Sequence, residues 1–135
     1  MKTAVIYWSG TGNTQMMATA VAEGCKGELF EVSSFTGDIS EYDAIALGCP
    51  SMGAEELEEN EFEPFFISVQ AQLKGKKVLL FGSYGWGDGE WMRNWVERTQ
   101  ECGAYVYKNE GIIVNETPSD EDLTVCRMTA AGFVN

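Results

Sequence analysis

The sequence predicts an α/β fold in which a doubly wound, five-stranded parallel sheet carries helices on both faces. Three observations carry this expectation. Short apolar runs alternate with amphipathic segments along the 135 residues, the pattern of strands joined by helical crossovers. Several of those runs are apolar almost without a break, as strands buried on both faces must be. A loop rich in glycine and hydroxyl groups stands where the first run gives way to a helical pattern, and sheets of this kind bind ligands at such strand ends.

The elements follow in order. Ala4-Val5-Ile6-Tyr7-Trp8 is the first buried strand. After the glycine-rich loop, Met17, Val21 and Cys25 recur at helical spacing, and Gly24 and Gly27 are expected to close that helix. Leu29-Phe30-Glu31-Val32 forms a second strand, and Ala44-Ile45-Ala46-Leu47 a third that ends at Gly48-Cys49-Pro50. Phe62, Phe65, Phe66, Val69 and Leu73 mark one face of a helix, with Pro64 tolerable in its first turn. Val78-Leu79-Leu80-Phe81 is the fourth strand, and Trp91, Met92, Trp95, Val96 and Thr99 give the next helical face. The fifth strand is interrupted: Tyr105-Val106-Tyr107, then Ile112-Ile113-Val114 after a polar stretch. Ser119 and Asp122 form a capping box that opens a last helix through Leu123, Cys126 and Ala130.

Length and composition restrict the function. The chain fits one domain, residues 1–135, around a single core. No apolar run approaches the ~20 residues that span a bilayer, and no signal-peptide core follows Lys2, so a cytoplasmic location is expected. Twenty-one acids against nine bases give a net charge of −12, a poor surface for nucleic acid or anionic membranes. A partner with a basic face would be steered in quickly, at a rate that falls with salt. There is no histidine, which removes the commonest general base and any Ser-His-Asp triad. Cys25, Cys49, Cys102 and Cys126 lie far apart without a C-x-x-C pair, against a zinc or iron–sulfur site. Two disulfides remain open on spacing; thiols packed in strands and helices are the expectation.

Three segments follow strand ends. In Ser9-Gly10-Thr11-Gly12-Asn13-Thr14, the glycines let the backbone turn tightly and present N–H groups to an anion, while hydroxyls and an amide add donors. The loop holds no Lys or Arg, so it lacks the lysine of a triphosphate-binding loop, and Gln15 stands where a dinucleotide fingerprint needs its third glycine. A neutral cradle suits one terminal monophosphate; a plain turn and helix cap is the alternative. After strand three comes Gly48-Cys49-Pro50-Ser51-Met52-Gly53-Ala54-Glu55, and after strand four Gly82-Ser83-Tyr84-Gly85-Trp86-Gly87-Asp88-Gly89-Glu90-Trp91. Met52 and Trp86 could close on opposite faces of a flat ring. Glycines around a tryptophan suit a moving or closely approached site better than a core.

The segments Tyr7–Thr14, Gly48–Gly53 and Gly82–Gly87 closely resemble the short-chain flavodoxins of anaerobic bacteria, in the same order and at the same strand ends. The resemblance spans nearly the whole chain. It implies a flavodoxin-like sheet of order 2-1-3-4-5 and one non-covalently bound FMN. By position it implies that Ser9, Thr11, Asn13 and Thr14 bind the phosphate, and that Met52 and Trp86 sandwich the isoalloxazine. It further implies that the Gly53 peptide flips so that its carbonyl accepts from N5–H of the neutral semiquinone, and that Glu55 accepts from N3–H. The flip is cheap at glycine, which tolerates positive φ. Gly10, Gly12, Pro50, Ser51, Ala54 and the backbone of Ser83-Tyr84-Gly85 and Gly87-Asp88-Gly89 complete the implied site. Ala54 stands where some relatives carry a polar residue, and the segment after the first helix is short, so strand two could shift by a few residues.

Glu55, Glu56, Glu58, Glu59, Glu61 and Glu63 put six acids in nine residues beside this edge. On their own they suit a helix start, where acids favour the positive dipole end. Beside a flavin they would also disfavour the anionic, fully reduced form. One charge ~10 Å away costs roughly 0.4 kcal/mol in water and about 1.7 kcal/mol at an effective dielectric near 20. For a one-electron couple that is on the order of 20–70 mV. The implied function is a low-potential, monomeric one-electron carrier that cycles between semiquinone and hydroquinone and replaces ferredoxin with its oxidoreductases. An FMN-dependent reductase on the same fold would need open space above the ring, which a stacked Trp86 denies. A response-regulator-like signalling domain would need aspartates at the strand ends, where Trp8-Ser9 stand instead.

Overall fold

In a computed structural model describing residues 1–135, six strands lie in one wholly parallel sheet. They are β1 (Thr3–Tyr7), β2 (Glu28–Glu31), β3 (Ala44–Gly48), β4 (Lys77–Tyr84), β5 (Tyr105–Val106) and β6 (Ile112–Asn115). The helices are α1 (Asn13–Cys25), α2 (Phe62–Val69), α3 (Glu90–Glu101) and α4 (Asp120–Phe133). The order is β2-β1-β3-β4-β5, with β6 also on β4, so the expected topology is the observed one. The interrupted fifth strand is literal: β5 pairs with Lys77 and Val78, and β6 with Phe81 to Tyr84 further along the same strand.

Alternation along the central strands feeds two cores. Ile6, Ile45, Leu47 and Leu80 face Phe62, Phe66, Trp91 and Trp95 of α2 and α3. Val5, Tyr7, Ala46, Leu79 and Phe81 face Met17, Val21, Cys126 and Phe133 of α1 and α4. The five residues read as the face of α3 are all buried, and the Ser119–Asp122 capping box is present. No helix is long and apolar enough to cross a membrane. All four cysteines are free: three are buried and Cys102 is half-buried. Burial, with the Asp122 carboxylate adding to it, pushes the Cys126 thiol up to about 11.

Several boundaries differ from the sequence expectation. Strand two is shifted by one, with Val32 starting a 3-10 turn instead of ending the strand. Trp8 lies just outside β1, although its N–H still donates to the Gly48 carbonyl at 3.0 Å. Strand four runs on through Gly82, Ser83 and Tyr84, because β6 supplies partners that a local apolar pattern does not reveal. Leu73 is fully buried but stands beyond α2, past a 3-10 turn. At the end of the first helix Lys26, not a glycine, takes the left-handed conformation, and its N–H donates to the Ala22 carbonyl, as does the Gly27 N–H at 3.1 Å. Gly24 lies within α1, where a Cβ would come within 2.9 Å of the Arg127 Cα on α4. It is a packing contact between helices.

Candidate functional site at the carboxyl ends of the strands

The chain leaves β1 for β2 on one side and returns to β3 on the other, so the loops after β1 and β3 part at a topological switch point. With the ends of β4 and β6 they enclose a cleft of about 480 Å³, within the size range of ligand sites.

The loop after β1 folds around one hydroxyl. Ser9 Oγ accepts from the N–H of Gly12 at 3.1 Å and of Gln15 at 3.2 Å. Gly12, at φ +99°, turns the chain into α1 and, as its N-cap residue, offers no side chain to the first turn. Asn13 N–H also meets Thr11 Oγ1 at 3.5 Å, so the N–H groups left for an outside acceptor are those of Gly10, Thr11 and Thr14, and no basic side chain stands in the loop. Thr14 is buried and engaged across the sheet. Its Oγ1 lies 3.0 Å from Ser83 Oγ and accepts from the Ser83 N–H at 3.3 Å, which ties the loop to β4.

The loop after β3 is a tight turn. Met52 and Glu56 exchange backbone hydrogen bonds of 2.8 and 2.9 Å around Gly53-Ala54-Glu55, and Gly53 and Glu55 have φ of +50° and +57°. Below it, Cys49 receives two donors that fix the strand end: the Glu58 N–H reaches its Sγ at 3.3 Å and Trp91 Nε1 its carbonyl at 3.2 Å. After β4, Trp86 projects with 57% of its surface exposed.

Gly10, Thr11, Asn13, Pro50, Ser51, Met52, Ser83, Tyr84, Gly85 and Trp86 line the cleft together. Ser9, Gly12 and Thr14 brace it from behind, while Gly53, Ala54, Glu55, Gly87, Asp88 and Gly89 stand outside its lining. Three lining residues escaped the sequence reading: Trp8, Glu116 and Thr117. The strand-end rule could have found them, since Glu116 and Thr117 directly follow β6 and Trp8 directly follows β1.

Two polar atoms here are buried without a hydrogen-bond partner in the protein, Ser51 Oγ and Glu55 Oε1. Buried polar atoms are ordinarily paired, so both fit a ligand that supplies the partner. Free loop amides for an anion, polar atoms waiting beside them, and Met and Trp side chains at the cleft fit a phosphorylated flat ring.

The acidic run divides. Glu58 is only 5% exposed and accepts from Asn60, Glu61 and Phe62 N–H groups at 2.8, 2.8 and 2.9 Å, closing the start of α2. Burial pushes its carboxyl up, but those amides outweigh it and hold it below the usual range. Glu63 forms a two-pronged pair with Arg98 at 2.8 and 2.7 Å, linking α2 to α3. Glu61 accepts from Trp8 Nε1 at 3.2 Å. In the loop after β4, hydrogen bonding and charge from Arg93 hold the Asp88 carboxyl below its ordinary value.

Fold and cleft together define a mononucleotide-binding α/β protein. The family model described as flavodoxin matches residues 5–129. The chain is 48% identical over 122 residues to a flavodoxin of Megasphaera elsdenii, covering 86% of this chain and 88% of the other. It is 43% identical over 123 residues to one of Clostridium beijerinckii, covering 87% and 89%. The solution structure of two-electron reduced Megasphaera elsdenii flavodoxin superposes with a TM-score of 0.86 at 44% identity, over 96% of this chain and 98% of that one. An archaeal flavodoxin gives 0.89 at 26% identity, over 99% and 96%. The chain belongs to the flavodoxin family. It is an FMN-binding electron carrier and not an enzyme.

Proposed function

We propose that this chain is a low-potential one-electron carrier whose FMN lies in the cleft between the loops after β1, β3 and β4. The observation that carries the site assignment is the cation-free loop with the Gly10, Thr11 and Thr14 N–H groups unpartnered in the protein, beside two buried polar atoms without protein partners. The amides of Gly10, Thr11 and Thr14, with the Thr11 and Asn13 side chains, hold the phosphate, and the Ser9 and Thr14 side chains keep that loop in shape. Ser51 Oγ adds a hydrogen bond to the cofactor. Met52 and Trp86 cover the ring, the Gly53 carbonyl serves N5, and Glu55 serves N3–H. The Ser83–Gly89 backbone and the Pro50 and Ala54 segments border it. Bound FMN supplies the redox chemistry, and the protein tunes it.

The acidic residues bias that chemistry. Arg98 compensates Glu63 and Arg93 compensates Asp88, whereas Glu55, Glu56 and Glu59 meet no cation. Their field supports a semiquinone–hydroquinone couple at low potential, with the Gly53 carbonyl favouring the semiquinone. Such a carrier, a single cytoplasmic domain acting as a monomer, would serve oxidoreductases that otherwise use ferredoxin and that present basic faces.

Titration of the apoprotein with FMN and with riboflavin tests the cradle. We expect riboflavin, which lacks the phosphate, to bind at least ~100-fold more weakly, the loss of two or more charge-assisted hydrogen bonds. Equal binding of the two would contradict the assignment.

A further inference from the structure

We infer that Gly87 is a positioning residue for Glu55: its bare α-carbon is what allows the loop after β4 to seat the carboxylate delivered by the loop after β3. A Cβ built on Gly87 would lie 2.5 Å from Glu55 Cδ and 3.0 Å from its Oε2, so the carboxylate occupies the space a side chain would take. The Glu55 carboxylate is the group that would have to move. The backbone of Glu55, at φ +57°, is held in the turn closed by the mutual Met52–Glu56 hydrogen bonds. Its Oε1 is buried against this contact with no partner in the protein. Gly53, in the same turn, has nothing within 4 Å of its own Cβ position, so the crowding belongs to Gly87.

The consequence is a coupling between two loops over one acceptor. This rests on the reading above that Glu55 accepts from the ring N3–H. The Gly87 α-carbon acts through Glu55, by leaving room for its carboxylate. Any side chain at Gly87 displaces the carboxylate and removes the discrimination it provides. Because Gly87 has φ +82°, alanine there also strains the backbone, whereas asparagine adopts that conformation more readily and still brings a Cβ.

The test compares binding of FMN with that of FMN methylated at N3, which cannot donate there, in wild type, Glu55→Ala, Gly87→Ala, Gly87→Asn and the double variant Glu55→Ala/Gly87→Ala. Wild type should prefer FMN by roughly tenfold or more, the worth of one hydrogen bond to a charged acceptor. Glu55→Ala should collapse that preference. Both Gly87 variants should collapse it equally, and the double variant should match Glu55→Ala alone. A Gly87 variant that weakens both flavins alike and keeps their ratio would overturn the inference while leaving the role of Glu55 intact. A Glu55→Ala protein that keeps the ratio would instead sink the reading of Glu55. Far-UV circular dichroism establishes that each variant is folded, and Gly87→Asn stands in where Gly87→Ala is not.

Discussion

Glu58 shows how a single side chain can mislead when only its charge is considered. Within the run from Glu55 to Glu63 nothing local distinguishes it from its neighbours, yet it is buried and takes three backbone donors at the start of α2. Glu58→Gln keeps the shape but loses the charge, and should cost about 1–2 kcal/mol in urea unfolding of the apoprotein at neutral pH. Its folded pKa lies below the unfolded value of about 4.3, so the charged form stabilises the fold above that value. That contribution is lost as pH falls through the lower, folded pKa. The gap between wild type and Glu58→Gln should therefore close on acidification, and a gap that stays constant would contradict this account. The residues that were legible were those whose type carries the chemistry. Met52, Trp86, Thr11 and Asn13 could be named from local motif alone, and all line the cleft. Trp8 and Glu116 were not, because a tryptophan ending a strand and a glutamate after another look like ordinary packing and surface residues. The pairing of Glu61 with Trp8, 53 positions apart, has no local signature.

At the scale of elements, helical faces were easier to read than their ends. The period that marks Trp91, Met92, Trp95, Val96 and Thr99 survives in α3 because burial on one side dictates it. Boundaries depend instead on distant partners. Strand β4 continues through Tyr84 because β6, nearly 30 residues later, completes its ladder, which no pattern in Gly82-Ser83-Tyr84 could announce. Gly24 carries the same lesson. A glycine near a helix end suggests a cap, but here the cap is Lys26 and the glycine admits the Arg127 backbone of α4. Gly24→Ala should then reverse the usual helix preference. Alanine would contribute up to about 1 kcal/mol by propensity, but overlap with the α4 backbone should leave the variant less stable by about 1–3 kcal/mol net. Chemical denaturation of the two proteins measures this directly, and a stabilised Gly24→Ala would mean that α1 and α4 are not in close contact.

Across the whole molecule, the parallel order β2-β1-β3-β4-β5 converts scattered loops into one site. It places three glycine-rich segments, more than 70 residues apart from first to last, around a single cleft. That topology followed from strand–helix alternation and from the resemblance of three motifs, so it was the most legible level of all. Charge is arranged along the same axis. Lys2, Lys76 and Lys77 stand at the amino ends of β1 and β4, while Glu55, Glu56, Glu59 and Glu61 gather near the carboxyl ends. The cofactor edge is thus left acidic, the disposition that favours both a low potential and a basic partner. The central claim is that this site makes FMN a one-electron carrier. Stepwise anaerobic reduction of the FMN-loaded protein, followed by visible absorption, tests it most directly. The account predicts that a blue neutral semiquinone accumulates to most of the protein before full reduction begins, because the Gly53 carbonyl and the surrounding carboxylates separate the two couples. Reduction straight to the two-electron state, with no semiquinone band at any point, would contradict it.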